Sequence, residues 1–177
     1  MSEGEVGRTR SRDRATLARI RTCVGDWPGK TWCMQRVRED GYEISDDRAR
    51  LDREWVHWWL DERSYWALGR TQEVQDRAID HSLCFGVYSP DGEQVGFCRY
   101  VTDAATFAWM CDVCIAEAHR GIGLGEWMVG MSLEHPDLQN LRRHVLITST
   151  AHDLYTKFGF DSVPAGDAHK WMIRMND

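Results

Sequence analysis

The chain has 177 residues, of which 42% are apolar and 28% charged, a composition typical of a globular domain with its own core. The formal charge is −6, but residues 1–40 hold 9 Lys/Arg and 6 Asp/Glu whereas residues 41–177 hold 13 and 22. The acidic body lacks the clustered cations that nucleic-acid binding needs, so we expect no nucleic-acid partner, with an Arg-rich amino-terminal arm as the alternative. Apolar runs are too short for an export signal or a bilayer span, so we expect a cytoplasmic protein without a membrane partner.

Residues 1–40 are predicted to be an amino-terminal extension, and at least residues 1–22 to be disordered. Four arginines alternate there with small polar residues, without an apolar partner on either face. Regular patterning starts near Gly41, so residues 41–177 are predicted to form the folded domain. Part of residues 23–40, which contain Trp27 and Trp32, is expected to dock on that domain.

The first elements of the domain are predicted to be a strand and two helices. Ser45 or Asp46 is the expected cap of a helix over residues 48–60, whose apolar positions recur on one helical face. We interpret this face as a contributor to the core; it carries Leu51, Trp55, Trp58 and Trp59. Residues 64–70 form an aromatic loop, and Thr71 is the expected cap of the second helix.

Strand patterning then dominates, and Pro90-Asp91-Gly92 predicts a hairpin turn between two strands. A third strand ends near Ile115, and apolar residues at helical spacing follow from Leu124. The order predicts a mixed α/β sheet. Its strands are expected at residues 42–45, 83–88, 94–101, 106–115, 144–149, 160–163 and 169–175, with a short helix at 152–158 closed by Gly159.

Six cysteines occur in the chain, and Cys111-x-x-Cys114 is the one suggestive spacing. No second pair accompanies it, and residues three apart on a strand point to opposite faces. We therefore expect buried thiols, with neither a disulfide framework nor a metal site.

The most informative segment is Arg120-Gly-Ile-Gly-Leu-Gly125, which lies between a strand and a helix. Its glycines let the backbone approach a ligand closely, and the helix N-terminus adds unpaired N–H donors and a positive dipole end. These features predict a pyrophosphate cradle. A nucleotide P-loop is excluded because Gly125 is followed by Glu126-Trp127 rather than Lys-Ser/Thr, and the glycine spacing does not fit a dinucleotide fingerprint.

A second motif, Leu154-Tyr155-x-x-x-Gly159-Phe160, follows about thirty residues later. The two motifs and the strands around them resemble the GNAT superfamily of acetyl-CoA-dependent N-acetyltransferases over about residues 41–175. Ile115 and Glu117 replace the valine and proline of the family pattern, which are mild departures.

The resemblance implies an α/β (α+β) fold whose mixed, mostly antiparallel central sheet is flanked by helices and splays at the cofactor site. It implies acetyl-CoA as co-substrate, without a metal, and a homodimer as one option for the assembly. The acyl-CoA arm would contact Val113, Cys114 and Ile115, and the pyrophosphate would rest on Arg120, Gly121, Ile122, Gly123, Leu124, Gly125 and Glu126, with His152 as a further cofactor contact.

In such enzymes an amine attacks the thioester directly, and Tyr155 would protonate the departing thiolate. Asp112 is the first candidate for the base that takes the proton of the amine; Asp103 is the second and His152 the third. A structural hydrogen bond is the alternative role for Asp112. Tyr65, Trp66 and Asp103 are the expected acceptor contacts.

The most consistent function is acetyl transfer to the primary amine of a small molecule, and the acidic body favours a cationic amine. The alternatives are acetylation of a peptide or protein amine and a non-catalytic acyl-CoA-binding regulatory domain. Neither the composition nor the spacing of residues names the amine.

Overall fold

A computed structural model describes residues 17–21 and 33–175, which form a sheet of seven strands in chain order with helices on both faces. The strands are β1 Leu17–Arg21, β2 Cys33–Val37, β3 Glu43–Ser45, β4 Leu83–Tyr88, β5 Gln94–Thr102, β6 Phe107–Ile115 and β7 Arg143–Val145. The α-helices are α1 Arg53–Arg63, α2 Gln72–Asp80, α3 Leu124–Leu133 and α4 His152–Thr156. In this part of the chain no helix is both long and apolar enough to cross a bilayer.

Strands β1 to β6 pair antiparallel in sequence, and β7 joins β6 in parallel. Gly92 has φ of 88° in the turn between β4 and β5, a left-handed conformation that glycine adopts without a steric penalty. The parallel pair needs a long crossover, which α3 supplies. The predicted mixed, mostly antiparallel sheet flanked by helices is confirmed.

Each face of the sheet packs on its own helices. Cys98 and Tyr100 of β5 point into the larger core, which also holds Leu124 and Met128 of α3. Phe97, next to Cys98 on the same strand, points into the smaller core with residues of α1. This alternation along β5 defines the two faces, which we call the α3 face and the α1 face.

Strand β6 carries a bulge at Asp112. Its register against β5 shifts between Phe97↔Cys114 and Arg99↔Cys111, so β6 has one residue more than β5 across this step. Asp112 has φ of 52°, a left-handed conformation that is uncommon for a residue with a side chain. The bulge lies directly before the segment predicted to bind the cofactor.

The sheet starts earlier in the chain than the sequence predicts. Residues 17–21, within the stretch predicted to be disordered, form β1 along β2, and β2 itself lies before the boundary expected near Gly41. The other residues of the predicted disordered stretch, and Trp27 and Trp32, lie outside the described residues. Backbone pairing with an edge strand needs no apolar pattern, which is why the Arg-rich stretch gave no strand signal.

The prediction of reduced thiols holds for only part of the cysteines. Cys84, Cys98, Cys111 and Cys114 are free. Cys33 is disulfide-bonded, so the expectation is wrong there. Across the described ranges no group of three or more His, Cys, Asp or Glu side chains is arranged to hold a metal ion.

The first long helix begins later than predicted. Residues Arg48–Arg50 form a 3₁₀ turn, and α1 starts after Asp52, whose carboxylate accepts the N–H of Trp55 at 2.9 Å. The buried face of α1 consists of Val56, Trp59 and Leu60, so Trp58, which the sequence predicts on the core face, is 47% exposed and carries the Arg63 guanidinium over its ring. Thr71 caps α2 as predicted, its hydroxyl accepting the N–H of Val74.

The carboxyl-terminal strands predicted at residues 160–163 and 169–175 are absent from the described residues, where coil and one 3₁₀ turn, Ala168–Lys170, take their place. Pro164 interrupts the first run, and Met172 and Ile173 are 94% and 74% exposed. The strand predicted at 144–149 shortens to β7, because pairing with β6 ends at Val145. The short helix and the left-handed Gly159, with φ of 80°, form as predicted.

A buried Asp–His pair ties the end of β3 to the turn after α3. His135 Nε2 donates to Asp46 Oδ2 at 2.9 Å, and both side chains are fully buried. Asp46 Oδ1 also accepts the N–H of Met34 at 2.7 Å, and His135 Nδ1 accepts the N–H of Asp137 at 3.1 Å. The pair therefore links segments that are 89 residues apart in sequence.

We expect His135→Ala to lower the free energy of unfolding by at least about 3 kcal/mol, because it strands a buried carboxylate and opens a cavity. Urea denaturation at neutral pH measures the change. His81→Ala is the matched control, since His81 is exposed at the end of α2. Equal stability of the two variants would contradict a stabilising role for the buried pair.

Candidate active site

The strands β6 and β7 diverge after a short parallel ladder. Their pairing runs from Phe107↔Arg143 to Trp109↔Val145 and ends there. Beyond it, no described strand pairs with β6 on the β7 side, so the backbone around Val113, Cys114 and Ile115 borders an opening between the strands. The opening is the splay that the resemblance implies, and we refer to it below as the splay.

The glycine turn lies at the end of β6, as the sequence predicts. Gly121 and Gly123 have φ of 79° and 76°, and no atom lies within 4 Å of the place where a Cβ would stand on either. Within the part of the chain that the structure describes, the amides of residues 121–126 donate no hydrogen bond, and they include the first amides of α3. These exposed donors and the helix dipole suit an anion such as a pyrophosphate.

Arg120 is less available than predicted. Its amide donates to the Glu117 carbonyl at 3.2 Å and its Nε to the Ile115 carbonyl at 2.9 Å. Its guanidinium lies 5.8 Å from the centre of the Trp59 ring. Arg120 thus braces the end of β6, and the donors open to a ligand are its terminal guanidinium nitrogens.

Arg38, from the predicted extension, supports the glycine turn, and Tyr42, at the start of the predicted domain, supports the segment before that turn. Arg38 is 4% exposed, and its Nη1 donates to the Ile122 carbonyl at 3.2 Å. The Tyr42 hydroxyl and His119 Nδ1 are hydrogen-bonded at 2.7 Å. Sequence reasoning missed Arg38 because its partner lies 84 residues away and it stands in a charged run without a motif.

The second motif lies against α3. Lys157 Nζ donates to Glu126 Oε2 at 2.5 Å, and Phe158 closely approaches Gly130, where an added Cβ would stand 3.2 Å from the ring. The contacts join the two motifs, so the expected cofactor residues and Tyr155 belong to one structural unit.

Tyr155 is 8% exposed on the α3 face. Burial raises the pKa of Tyr155 to about 12, with smaller contributions from Cys98 and Tyr65. In the described part of the protein, the Tyr155 hydroxyl has no hydrogen-bond partner, whereas that of nearby Tyr100 bonds Ser132 Oγ at 2.7 Å. The Tyr155 phenol therefore carries its proton at neutral pH, and no protein hydrogen bond of the described residues occupies it; we call it the uncommitted phenol.

The aromatic loop of residues 64–70 reaches the segment after β7. The Tyr65 hydroxyl and Ser149 Oγ are hydrogen-bonded at 2.6 Å. Trp66 packs edge-on against Tyr65 with ring centres 5.0 Å apart. The loop thereby brings Tyr65 and Trp66, two of the three predicted acceptor contacts, to the segment that follows β7, near Tyr155. The third, Asp103, lies in the β5–β6 turn.

Asp112 is held in an ion-pair cluster. Its side chain is 2% exposed and accepts hydrogen bonds from Arg70 Nη1 at 2.7 Å and Arg99 Nε at 2.6 Å. Burial raises the pKa of the Asp112 carboxyl, but the hydrogen bond from Arg70 and the positive charges of Arg99 and Arg70 outweigh it and hold that pKa below its ordinary value. A carboxylate in these contacts is a weak proton acceptor, which favours its structural role.

The structure also shows where the other two candidate bases, Asp103 and His152, lie. Asp103 lies exposed in the β5–β6 turn, where its carboxylate accepts the hydroxyl of Thr106 and the N–H groups of Ala105, Thr106 and Phe107. These bonds, led by the Thr106 hydroxyl, hold the pKa of Asp103 well below its ordinary value. His152 is exposed at the start of α4, three residues before Tyr155.

We expect Asp112→Asn to lower the free energy of unfolding by about 3 kcal/mol, because the isosteric amide replaces the buried carboxylate that two partly buried guanidinium groups share as counter-charge. The midpoint of the acid limb of kcat should stay where it is, because a carboxylate held by two arginines is a poor acceptor for the proton of the amine. Urea denaturation and a pH–rate profile measure the two effects, with Asp103→Asn as control. A 10²- to 10⁴-fold loss of kcat with unchanged stability would identify Asp112 as the base instead.

Comparison with known proteins identifies the family. Residues 80–162 match the model of the acetyltransferase (GNAT) domain. A curated protein of Gibberella zeae named as an acetyltransferase is 30% identical over 137 residues, covering 66% of this chain and 76% of its own.

Solved structures share the fold. A GNAT-family acetyltransferase structure from Xanthomonas campestris is 40% identical, covers 76% of this chain and 93% of its own, and superposes with a TM-score of 0.73. The structure of Rv2747 from Mycobacterium tuberculosis, in complex with CoA, is 19% identical, covers 64% of this chain and 70% of its own, and has a TM-score of 0.52. With both motifs at the diverging strands, the chain belongs to the GNAT family of acetyltransferases.

Proposed function

We propose that this acetyltransferase moves the acetyl group of acetyl-CoA to the primary amine of a small molecule. The observation that carries the proposal is the combination of the splay with the free amides of residues 121–126 at one side and the uncommitted phenol of Tyr155 at the other. It offers an anchor for a pyrophosphate and a proton donor for a departing thiolate.

Acetyl-CoA fits the residues at the site. Its pyrophosphate would meet the open amides of residues 121–126, with His152 and the end of the Arg120 side chain as further contacts. The open edge of β6 at Val113, Cys114 and Ile115 would pair with the amide-containing arm of the molecule. The CoA complex of the Mycobacterium tuberculosis neighbour, which has the same fold, supports this choice.

The transfer needs one bond made and one broken. The neutral amine attacks the thioester carbonyl, the C–N bond forms and the C–S bond breaks. N–H groups on the open edge of β6 are the donors available to steady the developing oxyanion. Tyr155 gives its phenolic proton to the thiolate, and the proton that the nitrogen loses after its attack passes through solvent to restore the phenol.

The proton of the ammonium substrate must leave before attack, because an alkylamine has a pKa of about 10.4. The carboxylates of Asp103 and Asp112 are both committed to other hydrogen bonds. We therefore assign this proton to solvent, with His152 as the candidate side chain that relays it.

A thiol-release assay over a panel of amines, run beside acetyl-CoA titration, tests the proposal. Release with a small amine supports it. Binding without release on any amine would indicate a regulatory acyl-CoA-binding domain, and release confined to peptides would identify a peptide or protein acetyltransferase. Size-exclusion chromatography of the same sample reports whether the protein is a homodimer.

A further inference from the structure

Five large apolar side chains lie exposed around the end of the β6–β7 ladder. Val101 is 43% exposed, Trp109 42%, Ile147 72%, Tyr65 64% and Trp66 43%. We call these residues the aromatic strip. Exposed apolar groups that cluster in this way are typical of a binding surface rather than of ordinary protein surface.

The pairing of the strands puts the strip on the α1 face. Val101 stands opposite Trp109, and Trp109 opposite Val145. Val101 follows Phe97 at even spacing, so both point to the α1 face. Neighbouring Leu146 packs into the core of the α3 face, which leaves Ile147 on the strip side.

The strip continues to the splay through the aromatic loop. Tyr65 reaches Ser149 by its hydroxyl, and Trp66 packs on Tyr65. Tyr65 is also close enough to Tyr155 to affect its pKa. A molecule lying on the strip would therefore have one end beside the phenol that protonates the thiolate.

One partly buried charged cluster beside the strip opposes the cationic acceptor that the acidic composition favours. Arg70 and Arg99 share the single carboxylate of Asp112, so this cluster carries a net charge of +1. Burial raises the pKa of the Cys111 thiol, which faces the same cluster and adds no negative charge. The Asp103 carboxylate stays ionised, but it is exposed in the turn beyond Val101, where solvent screens its charge more than that of the partly buried arginines.

On the basis of the proposed acetyl transfer, we propose that the aromatic strip binds the acceptor and selects a monoamine with a flat aromatic or alkyl body and no second cationic group. The body lies along Trp109 and Val101, and the nitrogen reaches the splay beside Tyr65. Apolar contact supplies the affinity, and the Arg70–Arg99 pair repels a second ammonium group.

Three amines separate the effect of a second charge from the effect of an aromatic ring on the acceptor. Pentylamine and 1,5-diaminopentane have the same chain length and differ in the second charge, whereas 2-phenylethylamine adds a ring. We expect kcat/KM to fall in the order phenylethylamine, pentylamine, diaminopentane, with about a tenfold difference between the first and the last. A preference for diaminopentane would overturn the inference while leaving the proposed transfer intact.

Trp109→Ala tests the strip itself. We expect the advantage of phenylethylamine over pentylamine to fall by about fivefold or more, with unchanged acetyl-CoA affinity. Trp58→Ala is the matched control, because Trp58 is similarly exposed but lies on α1 under Arg63. An unchanged ratio in Trp109→Ala, or an equal loss in both variants, would overturn the assignment.

Calorimetric titration of the CoA-saturated protein with each of the three amines distinguishes the proposed acetyl transfer from the proposed acceptor binding on the aromatic strip. Phenylethylamine binding that is weakened by Trp109→Ala supports the strip even where no thiol is released, a result that would count against the proposed transfer alone. Thiol release without tighter binding of phenylethylamine than of diaminopentane would count against the strip alone.

Discussion

Tyr155→Phe is expected to lower kcat by about 10²- to 10⁴-fold while leaving acetyl-CoA affinity nearly unchanged. The substitution keeps the ring that packs edge-on near Phe160, with ring centres 6.1 Å apart, and removes only the hydroxyl. Because burial raises the pKa of Tyr155 to about 12, the wild-type phenol stays protonated up to about pH 10, so its ionisation should not limit the rate below that pH.

Tyr88→Phe is the matched control for this experiment. Tyr88 is also buried, and its hydroxyl has no hydrogen-bond partner in the described part of the chain, but it lies at the far end of β4. Steady-state kinetics of both variants, with single-turnover measurements to isolate the chemical step, separate the roles. A normal chemical rate in Tyr155→Phe would remove this residue from the mechanism.

Gly123→Glu is expected to weaken acetyl-CoA binding by at least about 100-fold, or about 2.7 kcal/mol. The new carboxylate would stand among the open amides of residues 121–126, where a pyrophosphate would otherwise accept their hydrogen bonds. Gly123 also has φ of 76°, so any side chain there adds backbone strain.

Gly92→Glu separates strain from charge. Gly92 has φ of 88° and equally open space at its Cβ position, but it lies in the hairpin turn between β4 and β5. Titration of both variants with acetyl-CoA, after circular dichroism shows that they fold, gives the comparison. If both bind acetyl-CoA like the unmodified protein, the glycine turn is not the anchor.

Local signals in the sequence predict the parts of the fold that local physics determines. Thr71 caps its helix, Gly92 lies in the turn of its hairpin and Gly159 closes the short helix of the second motif, because each conformation depends on a few neighbouring residues. The glycine turn follows β6 directly, so its place at the splay is likewise readable from chain order.

Contacts between distant residues could not be predicted in this way. Asp112 meets Arg70 and Arg99 across 42 and 13 residues, and only the bulge in β6 turns its carboxylate towards them. Because the sequence does not show these contacts, it predicts that Asp112 is a free carboxylate on a strand and therefore a candidate base. The overall charge is a similarly coarse guide, since it sums the whole chain and does not describe the cluster of Arg70, Arg99 and Asp112 beside the aromatic strip.

Helix phase and strand pairing are a second reason why parts of the fold could not be predicted from the sequence. The spacing of Trp55, Trp58 and Trp59 fits a helical face, but α1 buries the neighbouring face that includes Val56 and Leu60, which leaves Trp58 outward. Met172 and Ile173 belong to a run with strand character, yet a strand forms only where a neighbour offers its backbone. Neither the exposure of Trp58 nor the absence of a strand at Met172 and Ile173 can be predicted from the local residue pattern.

The most direct test of the account follows the acetyl group itself. Purified protein, acetyl-CoA and a mixture of small primary amines are incubated together, and free thiol is measured beside acetylated amine by mass spectrometry. The account predicts one acetylated amine for each thiol released, and loss of both signals together in Tyr155→Phe. Thiol release without acetylated amine, or acetylation that persists at the normal rate in Tyr155→Phe, would contradict it.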